Sequence, residues 1–205
     1  AERDLAAARS RGVPWLIIYQ HLPIYTAGVY ANFNHPIRAE LPELCDRYGV
    51  DLVCSGHDHN YQRSYPVREG VPRDAWQEPV FFSPRGTVYI VTGGGGGFLY
   101  PELEGAPNRP LMHTFQSVNH CVVLDITTTD FRVRALDMQG NLMDEFQIKK
   151  DEPRPELRFL RGDANLDGQL DIGDAIASLA YLFLGEPLAC PAAADSTGQG
   201  DHLII

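Results

Sequence analysis

The four cysteines, Cys45, Cys54, Cys121 and Cys190, include no CxxC pair, so a thiolate zinc site is not expected. An even count permits two disulfides, but Cys54 sits among apolar neighbours where a buried free thiol suits equally well. No apolar run reaches the length of a membrane-spanning helix. No secretory leader is present either, yet AERDLAAARSRG opens like the middle of a helix and GDHLII stops inside a pattern. Both ends are therefore expected to continue, and the missing leader says nothing about compartment. Basic residues form no stripe: 17 Lys and Arg face 27 Asp and Glu, for a net charge of −10, which argues against a nucleic-acid scaffold. The five glycines at 93–97 lack the Lys and Ser/Thr that complete a phosphate-cradling loop. No Ser/His/Asp or Cys/His nucleophile signature stands out.

What is there is a globular composition, 44% apolar over 205 residues, enough for one domain and a small module. Charge is uneven. Residues 158–205 set Arg158 and Arg161 against seven carboxylates, a balance of −5, or half the total in the last quarter of the chain. That concentration points to cation binding. DEPRPE at 151–156 reads as a charged, proline-containing linker. The expected organisation is a domain over 1–150, a linker over 151–157 and a module over 158–205.

Within the first domain, residues 1–11 have helical spacing and stop at Gly12. WLIIYQ (15–20) and VDLVCSG (50–56) read as buried strands flanking a helix at about 36–48, which Pro36 opens. Strand, helix, strand at this spacing predicts a parallel βαβ unit. TVYIVT (87–92) is a further strand, and residues 61–85 read as loop. CVVLDIT (121–127), FRVRALD (131–137) and LMDEFQIK (142–149) read as antiparallel strands, the last two joined by a turn at Gln139-Gly140-Asn141.

Two histidine motifs fall at the C-terminal ends of the two parallel strands. IIYQH ends in His21, and SGHDHNYQR carries His57 and His59. Open α/β sheets bind ligands at that edge, so three imidazoles can converge across 36 residues of sequence. Imidazole is the commonest metal ligand, and Gly56 lets the backbone turn as the strand ends. An isolated HxH is more often a surface pair; two motifs on matched strand ends weigh toward a metal site.

PWLIIYQHLPIY, YGVDLVCSGHDHNYQRSYP and TVYIVTGGGGG together resemble the later part of the purple acid phosphatase branch of the calcineurin-like metallophosphoesterases. The resemblance covers roughly residues 1–150 and implies an α/β sandwich, of which this chain is the C-terminal half. It implies a two-metal centre built from five motifs, of which only the last two are here. His21 and His57 match ligands of the second metal and His59 a ligand of the first. GDxG, GDxxY and GNH[DE] are expected upstream of Ala1. The family implies phosphate-ester hydrolysis, with iron paired with zinc, manganese or a second iron. Where the family places a histidine that protonates the leaving group, this sequence has Tyr30, with His35 five residues later as the candidate acid. Tyr61 and Arg63 also match, Arg63 as a phosphate contact or, with more weight, as a brace paired to a carboxylate. Asp58 is a candidate for a hydrogen bond behind the histidine rings. His113 and His120 read as structural.

The tail carries its own chemistry. In GDANLDGQLDIGD, Asp163, Asn165, Asp167, Gly168, Asp171 and Asp174 take positions 1, 3, 5, 6, 9 and 12 of a calcium loop, with Gln169 offering its backbone carbonyl. This segment resembles a type I dockerin repeat, an EF-hand-like helical module. A worn second repeat starts at AADSTGQGD, with Asp195, Thr197 and Gln199 as its candidate ligands. The resemblance implies a secreted protein attached through a cohesin-like partner. The leading expectation is thus a metal-dependent phosphatase with a calcium-binding attachment module, the chain alone being inactive. Two rivals stay open: a scaffold lacking the upstream ligands, and a phosphodiesterase or nucleotidase of the same superfamily.

Overall fold

The computed structural model describes residues 1–150, 162, 164, 165, 169 and 171–184. The chain divides into two compact units, Ala1–Glu152 and Pro153–Ile205. In the first, α1 (Glu2–Ser10), β1 (Ile17–Gln20), α2 (Ile37–Tyr48) and β2 (Leu52–Ser55) come in that order. There follow β3 (Tyr61–Ser64), β4 (Val67–Arg68), β5 (Val71–Pro72), β6 (Val80–Phe82) and β7 (Val88–Thr92). β8 (Met112–Gln116), β9 (His120–Ile126), β10 (Asp130–Asp137) and β11 (Leu142–Lys149) complete it.

Two sheets carry the unit. The first has the order β1-β2-β7-β3-β8, the second β6-β11-β10-β9. β1, β2 and β7 are parallel, with Ile17 opposite Leu52 and Leu52 opposite Val88, as the strand–helix–strand spacing predicts. All four residues of β2 are buried. A central parallel strand is covered on both faces, so its sequence is nearly continuous apolar rather than alternating.

Alternation along the strands still assigns each side chain to one of two cores. Val53 and Tyr89 pack with Leu5, Leu41 and Cys45 of the helices. Leu52, Cys54, Val88 and Ile90 point the other way, onto Phe81, Phe131, Val133, Phe146 and Ile148 of the second sheet. Each such buried side chain contributes about 1.5–3 kcal/mol. The layers are helices, five-stranded sheet, four-stranded sheet, and the parallel strands of the middle layer aim their C-terminal ends at one edge.

Residues 61–85 correct the expectation of a loop. They hold β3, β4, β5 and β6, and β3 lies inside the first sheet between β7 and β8. Its sequence, YQRS, has no apolar alternation, which is why it reads as loop. The strand holds because its polar side chains find buried partners: Tyr61 and Arg63 bond Asp144, and Gln62 bonds Ala27, Thr26 and Asn60. The turn at 139–141 is as expected, with Gly140 at φ 82° and the Asp137 carboxylate accepting from the N–H groups of Gln139 and Asn141.

Among the described residues of the second unit there is one helix, α3 (Ile172–Leu184). Asp174 in its first turn is buried, and its oxygens accept from the backbone N–H groups of Ala164 (2.8 Å), Asn165 (3.5 Å) and Asp171 (3.0 Å). The calcium candidates Asp163 and Asp167, the linker 151–157 and the second-repeat candidates Asp195, Thr197 and Gln199 lie outside the described residues.

Candidate metal centre

The C-terminal edge of the parallel strands is where the histidines meet. His21 follows β1 directly, and His57 lies two residues beyond β2. The Gly56 N–H donates to the His21 carbonyl at 3.0 Å and ties the two strand ends together. His57 then takes φ 64°, a left-handed conformation uncommon for any residue with a side chain. The result sets His57 Nδ1 3.0 Å from His21 Nε2, with the rings edge-on at 4.9 Å between centroids. Desolvation, then the neighbouring His21, lowers the His57 pKa, so the ring favours the neutral form a metal needs.

His59 is held separately. Its Nδ1 lies 2.8 Å from the carbonyl of Phe98. A carbonyl can only accept, so Nδ1 carries the proton and Nε2 keeps its lone pair, the arrangement seen in metal-bound histidines. The ring stacks on Tyr100 at 4.5 Å with 6° between planes. The glycine run supplies the clearance. A Cβ on Gly97 would lie 2.7 Å from the His59 ring, and one on Gly93 would overlap the carbonyl of Asp58.

Asp58, between the two motif histidines, faces away from them. It is buried and accepts from the Thr26 hydroxyl, while its Oδ1 has no hydrogen-bond partner. Desolvation raises its pKa, and bonds from Thr26 and the Tyr30 backbone offset only part of this. It anchors the loop after β1, which Gln62 holds at the Ala27 N–H and Arg38 at the carbonyls of Pro23, Tyr30 and Ala31. Of the two roles its place between the histidines allowed, Asp58 takes the one that alternation along the chain favours, pointing away, and no hydrogen bond from it to a histidine ring is present among the described residues.

Arg63 is wholly buried and bonds Asp144 at 2.6 Å and Glu78 at 2.8 and 2.9 Å. No phosphate contact is open to it there. His113 leans on the same guanidinium at 2.7 Å, and Tyr61 donates to Asp144 at 2.8 Å. His120 bridges the Val118 carbonyl and the Thr92 hydroxyl. The loop does not bring in His35: its ring stacks on Phe33 and its Nδ1 accepts from the Ile37 N–H, with no bond or ring contact to His21, His57 or His59. Tyr30 is there instead, its ring 4.2 Å from His57.

Sequence reasoning missed Tyr100, which β-strand periodicity and motif spacing both leave in a loop. Among the described residues no group of three or more His, Cys, Asp or Glu is gathered to hold an ion. The pair nevertheless fits one. Two nitrogens about 2.1 Å from a metal sit about 3.0 Å apart at right-angle coordination and about 3.4 Å apart in a tetrahedron. The observed separation of 3.0 Å is a hydrogen-bonding distance between the two rings and is also compatible with two nitrogens sharing one ion.

Fold and site together define an α/β sandwich with a histidine pair at a sheet edge. Residues 2–61 match the family model described as calcineurin-like phosphoesterase. The chain is 29% identical over 157 residues to a probable inactive purple acid phosphatase 1 of Arabidopsis thaliana, covering 73% of this chain and 25% of that protein. It is 36% identical over 95 residues to acid phosphatase A of Cryphonectria parasitica, covering 46% and 18%. The solved purple acid phosphatase PPD1 from yellow lupin superposes with a TM-score of 0.66 at 26% identity, over 74% of this chain and 28% of that one. The chain is thus similar in sequence and fold to part of a purple acid phosphatase and spans about a quarter of the length of such relatives.

Proposed function

We propose that this chain supplies His21, His57 and His59 to a two-metal centre that hydrolyses phosphate esters. The observation that carries the reading is the 3.0 Å approach of His21 Nε2 to His57 Nδ1 at the ends of adjacent parallel strands. His21 and His57 would hold one ion and His59 Nε2 the other, iron paired with zinc, manganese or iron. Such a pair, when bound, lowers the pKa of a water and neutralises phosphoryl oxygens. The chain's own residues do the rest: the Phe98 carbonyl fixes the His59 tautomer, and the Arg63 brace holds β3 behind the motif loop. Carboxylate ligands would come from polypeptide outside residues 1–150. The described residues lack them, so the 205-residue chain alone should not turn over p-nitrophenyl phosphate.

Cobalt titration tests the core of this. The chain should bind Co²⁺ with a visible absorption band that His57→Ala abolishes and His113→Ala leaves intact. Equal spectra from the parent chain and His57→Ala would refute the assignment. A second reading, a binding protein without catalysis, is favoured by the relative named as probably inactive. It predicts phosphate-ester binding without turnover even when a polypeptide carrying carboxylate ligands is added.

The tail is read as a dockerin-like calcium module of a secreted protein, attached through a cohesin-like partner. Its support is the oxygen-donor spacing from Asp163 to Asp174 and the helix that begins at Ile172. Asp174 uses one lone pair for each of its three bonds to the backbone, which leaves about one of its roughly four acceptor sites for a cation. Calcium should increase the circular dichroism of residues 158–205; an unchanged spectrum would refute it.

A further inference from the structure

The cluster around Arg63 holds one group that changes charge near neutral pH. His113, on β8, sets its Nδ1 2.7 Å from Arg63 Nη2. A guanidinium has donors and no acceptor, so Arg63 donates and Nδ1 accepts. The ring is therefore neutral here, with its proton on Nε2. Nη2 also donates to Glu78 Oε1 at 2.8 Å and to Asp144 Oδ1 at 2.9 Å. Its two N–H groups thus serve three acceptors, and the uncharged imidazole holds the weakest share. The His113 Nε2 lies 3.8 Å from that same Glu78 Oε1, beyond a hydrogen bond and within reach of an ion pair.

Three further groups close the cluster. Asp144 accepts from Arg63 Nε at 2.6 Å and from the Tyr61 hydroxyl at 2.8 Å, and the Tyr65 ring meets the imidazole edge-on at 5.3 Å. Tyr61 and Arg63 belong to the first sheet and Asp144 to the second, so the cluster bolts the two sheets together. Arg63 is fully enclosed, yet the side chains of His113 and Glu78 are 29% and 20% exposed. Solvent protons therefore reach the ring while the chain stays folded.

A proton added at Nδ1 sets N–H against N–H and one cation beside another, so that contact opens. We infer that His113 is a proton-operated latch on the Arg63 bolt. Neutral, it holds Nη2. Protonated, it releases Nη2 and draws Glu78 from Arg63 to itself, which loosens β3 against the second sheet. The direction in pH follows from the surroundings. Desolvation, then Arg63, lowers the His113 pKa, and Glu78 and Asp144 offset only part of this. A histidine whose folded-state pKa is lowered contributes stability that is whole above about pH 6.5 and is lost as pH falls through the folded value. Losing one such hydrogen bond lowers the ratio of closed to open states by about threefold to tenfold.

The test is amide hydrogen exchange of the 205-residue chain by NMR between pH 7.5 and pH 5, with each rate corrected for the intrinsic pH dependence of exchange. The ¹⁵N shifts of His113 report in the same samples when its ring takes up a proton. Protection of the β3 amides should fall about threefold to tenfold as the ring titrates, while that of β1 and β2 holds. His113→Asn keeps an acceptor for Arg63 and takes up no proton, so its β3 protection should stay level across the range. An equal fall in the parent chain and His113→Asn would overturn the latch. So would a fall shared evenly by β1, β2 and β3, or a ring that titrates with β3 unmoved. Should His113→Asn fail to fold, the ring shifts and the strand-by-strand exchange of the parent chain decide the matter by the last two outcomes.

Discussion

Replacing Arg63 by methionine should cost the first unit about 3–5 kcal/mol, the range for breaking a buried ion pair from one side. The magnitude comes from what is left behind. Arg63 is fully buried, its partner Asp144 is 9% exposed and Glu78 20%. Methionine fills much of the volume and makes none of the bonds, so two carboxylates stay half-desolvated with no cation between them. Against a total stability of about 5–15 kcal/mol this is a large fraction. For a unit of this size it corresponds to a fall in Tm of about 6–20 °C.

The same pair predicts an acid limb. Desolvation pushes the Asp144 pKa up, but the hydrogen bonds and charge of Arg63 outweigh it and hold the carboxyl below its usual range. A depressed folded-state pKa contributes stability that is whole above about pH 4 and is lost as pH falls through the folded value. Thermal unfolding by circular dichroism from pH 7 down to pH 3 should show that loss, and Asp144→Asn should flatten it. A Tm for Arg63→Met within 2 °C of the parent chain, or an acid limb unchanged in Asp144→Asn, would refute the brace.

Other expectations follow from single contacts. Gly97→Ala should weaken zinc binding at His59 and destabilise the loop by about 1–3 kcal/mol, because its Cβ meets the imidazole at 2.7 Å; calorimetry with zinc reads both. Cys45 and Cys54 should resist a thiol reagent until the chain unfolds, since burial pushes their pKa values up to about 11 and about 12, whereas exposed Cys121 should react at once. Asp174→Ala should lower the helicity of the tail by removing the acceptor for Ala164 and Asp171, measurable by circular dichroism without calcium.

Much of the middle sheet was legible because burial on both faces leaves an unmistakable apolar run, as in β2. The antiparallel strands β10 and β11 were legible through alternation and the Asp137–Asn141 turn. β3 was not, since its residues are polar and only their partners, most of them 15 to 83 positions away, make them fit for a sheet interior. The same limit explains the site. Sequence motifs named His21, His57 and His59 and set them at strand ends.

What the sequence alone determined is which chemistry each strand end carries: imidazoles after β1 and β2, glycines after β7, and a run of oxygen donors in the tail. Those are local facts, set by residue type and period. Tertiary structure decided what meets what. It turned Asp58 away from the histidines into the Thr26 network, committed Arg63 to Asp144 and Glu78, left His35 against Phe33, and brought Tyr30 and Tyr100 together across 70 residues. No short-range pattern encodes such meetings, because they depend on how separate loops are pinned to one sheet edge.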